Sequence, residues 1–323
     1  MKIITQQQIR ALNITPATCV DWIKESFAIK KMSEIPAKIS VHPEDGEFFT
    51  SMPCLLPSPY MEGINFERRY MGVKEVHRLH NSIPSLGSDM MLYDAQSGDL
   101  LALLDTDWIT TMRTGAVAAV SSKVLRKSSA KTYGIVGLGN TARATLLCIL
   151  EQEPERFFSI KLVKYKNQAE LFIERFKEYK NVSFEIVESA EAMAGDVDVF
   201  ISCITNAQGL LVHDEKTFKP GVTVIPVHMR GFQNCDTTFD RVFADDTAHV
   251  CGFKLFNQWP NYNEIGEVLA GLDPGRCSDE QRIIDYNYGL ALHDVVYAAK
   301  VFEKLKDESQ DIVIERETEK FWV

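Results

Sequence analysis

One run constrains the fold of this chain more than any other: Lys131 to Ala144, reading Lys-Thr-Tyr-Gly-Ile-Val-Gly-Leu-Gly-Asn-Thr-Ala-Arg-Ala. Tyr133 to Val136 is short, apolar and β-branched, as a buried strand is. Gly137, Gly139 and Ala142 follow as G-x-G-x-x-A, and Ala142 to Leu150 is compatible with a helix. A strand, a glycine turn and a helix in that order open a dinucleotide-binding βαβ unit. Gly137 permits the tight turn, and Gly139, with no Cβ, lets a pyrophosphate approach the backbone. Ala142 is small enough for the helix to pack on the strand. The anion then rests on free N–H groups at the positive end of the helix, with Asn140 and Thr141 in its first turn.

From 131 to 250 strand and helix patterns alternate, the mark of a parallel sheet. Ile160–Tyr165 reads as the second strand, Gln168–Tyr179 as a helix, and Val182–Val187 as the third strand. Val197–Cys203 is a buried fourth strand, with Cys203 and Thr205 at its carboxyl end, where a ligand binds in such sheets. Val222–Val227 and Arg241–Ala244 are further strands, and Asn263–Ala270 and Tyr288–Leu305 read as the last helices.

The first hundred residues read differently. Residues 5–30 are helical, with Thr15-Pro16 marking a start. Ile35–His42 alternates as a strand does, putting Lys38 on one face with Ser40 and His42. Phe48–Leu56, Tyr70–Val76, Met90–Asp94 and Leu100–Asp105 are strand candidates without helices between them, so this part reads as an antiparallel α+β module. Trp108–Lys127 is a long helix that joins it to the glycine turn. The fold class is therefore α/β: a Rossmann dinucleotide-binding domain plus an α+β N-terminal domain.

With 323 residues, two domains are the prior. A net charge of −10 argues against a nucleic-acid partner held by general electrostatics. No apolar run reaches the ~18 residues of a membrane helix, and no signal-peptide pattern opens the chain, so a cytoplasmic protein is expected. Seven scattered cysteines without C-x-x-C read as reduced thiols, with neither a disulfide framework nor a structural metal.

The end of the second strand reads Val163-Lys164-Tyr165-Lys166-Asn167. An NAD-binding unit places an acidic residue here for the ribose hydroxyls. Two lysines and no carboxylate favour the 2′-phosphate of NADP, with NAD the alternative, and a solvated strand end the functionless reading.

Further motifs carry a family resemblance. They are Met71-Gly72-Val73-Lys74, the run Leu101-Ala102-Leu103-Leu104-Asp105 with Ile109-Thr110-Thr111-Met112-Arg113-Thr114-Gly115-Ala116, then Glu264-Ile265-Gly266-Glu267, Pro274-Gly275-Arg276 and Gly289-Leu290-Ala291-Leu292-His293-Asp294. In this order they resemble the ornithine cyclodeaminase/μ-crystallin family. The resemblance implies an NAD(P)-dependent, usually dimeric protein acting on amino acids, cyclic ketimines or opine-like imines, with an N-terminal substrate and dimerisation domain completed by the chain's end, 1–114 with 296–323, against a Rossmann domain over 115–295. It implies Lys74 and Arg113 near the reacting carbon and the substrate carboxylate, Lys38 where the family more often has Arg, and Thr114 beside the cofactor. A guanidinium suits bidentate carboxylate recognition, and a lysine can donate to a forming amine. A surface ion pair is the plain alternative for each. Cyclodeaminases of the family carry an Asp after the fifth Rossmann strand. Here Met229 or Arg230 stands there, Asp236 fits only with a re-routed loop, and His228 or Arg230 is expected to line the site instead. Three functions stay open: an oxidoreductase on a C–N bond, a cyclodeaminase-type ammonia lyase, and a non-catalytic crystallin-like binding protein.

Overall fold

The computed structural model describes residues 1–205, 207–227, 230–313, 315, 317, 319 and 320. They form two compact units: 1–13 with 31–110 and 294–323, and 14–30 with 111–293. In chain order the strands are β1 Lys2–Ile4, β2 Ile39–Val41, β3 Phe48–Leu55, β4 Tyr70–Arg78, β5 Leu86–Asp94, β6 Leu100–Asp105, β7 Thr132–Val136, β8 Phe158–Val163, β9 Val182–Val187, β10 Val199–Ser202, β11 Thr223–Pro226, β12 Arg241–Ala244, β13 Asn263–Glu264 and β14 Ile283–Tyr286. The helices are α1 Gln6–Ala11, α2 Pro16–Ala28, α3 Asp107–Leu125, α4 Asn140–Gln152, α5 Gln168–Arg175, the short α6 Ala190–Ala194, α7 Thr247–Val250 and α8 Ile265–Leu269, and α9 Ala291–Leu305. None of those described is long and apolar enough to cross a membrane.

The first unit is built on one sheet, in which β1, β6, β5, β4, β3 and β2 lie side by side and Gln310–Asp311 adds beyond β1. Most pairs are antiparallel, but β1 runs parallel to β6, so the sheet is mixed rather than wholly antiparallel. Strand alternation sends Met52, Cys54, Lys74, Met90, Leu92, Ala102 and Leu104 to a buried face. On the other face Pro53, Val73, Met91 and Leu103 stand opposite one another as a cross-strand row that stays partly exposed. The expected strand 35–42 shrinks to β2, an edge strand whose Ile39 and Val41 are exposed.

The second unit holds an all-parallel sheet in the order β13-β12-β14-β11-β10-β7-β8-β9. β7, β10, β11 and β14 are covered on both faces, and the first three lie in the mostly apolar runs recognised in the sequence. The chain leaves β7 toward β8 and β9, then returns to β10 on the other side of β7. That reversal makes the crevice at the carboxyl ends of β7 and β10 the place for a ligand. Residues 14–30, expected in the first domain, cluster with this unit instead. Thr15 caps α2 by accepting from the Thr18 N–H at 3.1 Å, and Pro16 occupies the first turn. The buried face of α2, including Cys19, Ile23 and Phe27, then packs on α4 and α8. An apolar stripe announces that a helix packs, but not on which partner.

Candidate active site

The glycine turn follows β7 directly. Gly137 has φ +80°, and a Cβ built on it would lie 2.6 Å from the carbonyl carbon of Cys203 and from the Ile204 nitrogen. Only glycine allows both the left-handed backbone and this approach of the β10 end. Gly139 is the N-cap of α4, offers no side-chain cap, and a Cβ on it would meet nothing within 4 Å. The first turn of this 13-residue helix thus has no capping side chain at its N-cap, and the space beside Gly139 is open. Ala142, in that turn, is fully buried, as a helix packed tightly on its strand requires. This cradle fits a dinucleotide pyrophosphate. Thr114 is buried on α3 and Thr205 exposed beyond β10. Desolvation pushes the Cys203 thiol up to about 12, so it lines the crevice as a neutral group and not as a nucleophile.

The second strand ends at Val163, two residues short of expectation, and Lys166 takes a left-handed φ of 51°. Lys166 Nζ lies 5.4 Å from the Tyr165 ring centroid. The absence of a carboxylate, true of the local sequence, does not hold in space. Glu188, just past β9, sits 3.4 Å from Lys164 Nζ. Both side chains are exposed, so this pair is worth less than about 1 kcal/mol and opens readily.

In the first unit Lys74 lies on the buried face of β4 and is fully enclosed. Its ammonium is 2.7 Å from Asp294 Oδ1, on α9 and equally buried, and 3.3 Å from Thr110 Oγ1. Thr110 shares a hydroxyl hydrogen bond with Ser88 at 2.8 Å, and the Ser88 N–H and hydroxyl donate to Asp107. Asp294 was quoted above only as part of a motif. An acid inside the apolar run Ala291–Val296 was the signal that it balances a buried charge. Lys38 falls one residue before β2 and is half-buried. Ser40 stands opposite Thr50, and alternation puts Lys38 on the side of the sheet that carries Thr50, Met52 and Lys74.

In the second unit Arg113 on α3 is 3% exposed. A Cβ built on Gly289 would overlap its guanidinium at Nη1, so the group occupies the space that a side chain at 289 would take. Gly289 has φ +78° and donates its N–H to Asp245, which is fully buried. Gly289 and Asp245 were not recognised as site residues from sequence. Beside them is a second enclosed acid, Asp285, which accepts from Asn287 Nδ2 at 3.0 Å. Asn287 also reaches Ser121 Oγ at 3.3 Å.

Burial, reinforced by the charge of Asp245, outweighs the hydrogen bonds from Ser121 and Asn287 and pushes Asp285 up to about 7. Its unfolded value is about 3.9. The folded protein therefore holds a proton through this window that the unfolded chain has released, and stability falls as pH rises from about 4 to about 7. Asp285→Asn cannot ionise. In urea titrations it should be more stable than the parent by about 2–4 kcal/mol at pH 8 and nearly equal near pH 4. The same difference at both pH values would disprove the assignment.

The loop after β11 departs from expectation. His228 lies outside the described residues. Arg230 Nη2 pairs with Asp236 Oδ2 at 2.5 Å, and its Cζ stands 4.1 Å and 4.9 Å from the Phe253 and Tyr286 ring centroids. Tyr286 also donates to Asp236, whose exposure is 1%. Arg230, expected to bind substrate, is thus held in an ion pair and an aromatic sandwich. Asp236 serves as its counter-ion. Among the described residues no cluster of His, Cys, Asp or Glu could hold a metal ion.

The chain is similar over most of its length to several known proteins. The nodulation efficiency protein NfeD of Rhizobium meliloti is 27% identical over 301 residues, 91% of this chain and 89% of that protein. A Delta(1)-pyrroline-2-carboxylate reductase of Colwellia psychrerythraea is 26% identical over 322 residues, 95% of this chain and 100% of that one. The Delta(1)-pyrroline-2-carboxylate reductase of Thermococcus litoralis, solved with NADH and L-proline, superposes with a TM-score of 0.81. It shares 20% identity and covers 97% of this chain, with 100% of its own length covered. The model of the ornithine cyclodeaminase/mu-crystallin family matches residues 2–309, and the chain belongs to that family.

Proposed function

We propose that the chain is an NAD(P)-dependent oxidoreductase acting on the C–N bond of a small carboxylated substrate, a cyclic ketimine or its amino acid. The uncapped start of α4 beneath Gly139 carries the reading, because a helix N-terminus facing open space beside a left-handed glycine fits a pyrophosphate. Relatives matched over nearly their whole length reduce Delta(1)-pyrroline-2-carboxylate, which supports a ketimine substrate. Gly137, Gly139, Asn140, Thr141 and Ala142 would hold the pyrophosphate, with Thr114, Cys203 and Thr205 along the crevice. When bound, the nicotinamide supplies or accepts a hydride. Arg113 takes the substrate carboxylate with its fork. Lys74, charged opposite Asp294, donates a hydrogen bond or a proton at the substrate nitrogen. Lys38 adds a positive field for the carboxylate.

Reduction is favoured over ring closure with loss of ammonia because Met229 or Arg230 stands where the family's cyclodeaminases carry Asp, and Asp236 is paired with Arg230 and Tyr286. The test is a panel of five- and six-membered cyclic ketimine carboxylates with NADPH and NADH, following loss of reduced-nicotinamide absorbance. Ammonia release from ornithine without net cofactor turnover would favour the lyase. Cofactor binding without turnover on any substrate would favour the non-catalytic protein.

Lys164 and Lys166 support NADP over NAD, since Glu188 opposes them only through an exposed pair. Titration of both reduced cofactors by fluorescence at fixed salt decides this.

The row Pro53, Val73, Met91 and Leu103 supports a homodimer through the first unit, as an apolar stripe across four strands is a surface a partner covers. Of the aromatic side chains of this unit, those at 48, 49, 66 and 70 differ in exposure. Tyr70 is fully buried, and Phe48, Phe49 and Phe66 are half-buried. Sedimentation velocity should give a dimer for the parent and a monomer for Met91→Glu.

A further inference from the structure

Arg143 is the fourth residue of α4, on the first turn above the pyrophosphate cradle. It is half-buried, its Nε is enclosed, and among the described residues its guanidinium has no hydrogen-bond or ion-pair partner. A cation partly withdrawn from water without an anion lowers stability unless a ligand brings the anion.

The faces of α4 show where Arg143 is directed. Ala144 packs on α3, where a Cβ on Gly115 would come within 2.5 Å of its carbonyl carbon. Cys148 is enclosed on the side that faces Cys19 of α2. The stripe left partly open is Asn140, Arg143, Leu147 and Glu151, at helical spacing. Its far end is fixed, because Tyr179, just past α5, donates to Glu151 at 3.0 Å. α4 follows β7 and α5 follows β8, and these strands are parallel neighbours, so the two helices run the same way. If the last turn of the stripe meets the segment after α5, its first turn faces the segment before α5. That segment is Lys164 to Asn167.

We propose that Arg143 completes, with Lys164 and Lys166, a binding site for the 2′-phosphate of NADP. The inference rests on the NADP reading above and adds to it the residue that supplies directional recognition. Two flexible ammonium groups attract a phosphate as point charges. A guanidinium adds a two-pronged hydrogen bond that a ribose hydroxyl cannot satisfy equally. Glu188, repelled by the incoming dianion, swings into solvent, where most of its surface already lies.

The experiment compares the full-length parent with Arg143→Met and Arg143→Lys, titrating NADPH, NADH and 2′,5′-ADP by calorimetry. Arg143→Met should bind NADPH and 2′,5′-ADP at least ~10-fold more weakly, with NADH within about twofold of the parent. Arg143→Lys should fall between parent and Met for NADPH. The melting temperature of the unliganded protein should not drop, because no protein hydrogen bond or ion pair is lost and methionine keeps much of the apolar stem. Equal weakening of NADPH and NADH would assign Arg143 to the shared pyrophosphate and overturn the proposal, as would unchanged affinity for all three ligands. A parent that prefers NADH and ignores 2′,5′-ADP would fail the NADP reading itself. A parent that prefers NADPH, with that preference intact in Arg143→Met, would fail the Arg143 proposal alone.

Discussion

Lys74→Met will destabilise the protein by about 3–5 kcal/mol, because it leaves the Asp294 carboxylate enclosed and without its cation. The pair is 2.7 Å apart and neither side chain reaches solvent. Methionine matches the length of lysine closely, so lost packing contributes little and the result reports on charge. Thr110, tied to Ser88 and through it to Asp107, loses a donor at the same time. Adding Asp294→Leu should recover most of the stability, since replacing a whole buried ion pair by apolar groups is often neutral or better. It should recover none of the turnover, because Lys74 is the proposed donor at the substrate nitrogen. Urea titrations of the parent, the single variants and the double variant, with kcat/KM on the best ketimine, form the cycle. A single variant within about 1 kcal/mol of the parent would show that the pair is not the buried couple described. A fully active double variant would remove Lys74 from the chemistry while leaving its structural role intact.

Arg113→Lys should lower kcat/KM by at least ~30-fold, although the charge is kept. The guanidinium fills the space beside Gly289 that a side chain would take, and a lysine ammonium keeps the charge without the planar fork. Losing a desolvated charged hydrogen bond to a carboxylate costs on the order of 2–5 kcal/mol. Cofactor affinity should stay within about twofold, since the pyrophosphate cradle is backbone at Gly137 and Gly139. Steady-state kinetics beside a cofactor titration checks both halves. Activity equal to the parent, or joint loss of cofactor and substrate binding, would mark Arg113 as structural.

The glycine turn could be read from sequence because its glycines answer local demands, a left-handed φ and an open helix start, that no distant residue alters. β14 was missed. Ile283-Ile284-Asp285-Tyr286 is four residues long and carries an acid, which argues against a buried strand unless the acid is known to be protonated. Glu188 and Asp294 were invisible as partners for a different reason. Lys164 meets Glu188 through the pairing of β8 with β9, and Lys74 meets Asp294 across more than two hundred residues. Spacing along the chain carries no trace of either meeting. The Arg230–Asp236 pair lies within one loop, yet its sandwich between Phe253 and Tyr286 depends on three separate segments.

The assignment of α2 to the second unit has a consequence for synthesis. The helix is made early, but α4 and α8, which cover it, come more than a hundred residues later. At about 5–20 residues per second, its apolar face waits on the order of ten seconds on the ribosome. Trp22, Ile23 and Phe27 are exposed for that time on a chain whose neighbouring segment, β1, also lacks β6 as its pairing strand. Neither unit can be produced as an uninterrupted fragment, because each takes its residues from separated stretches of the chain.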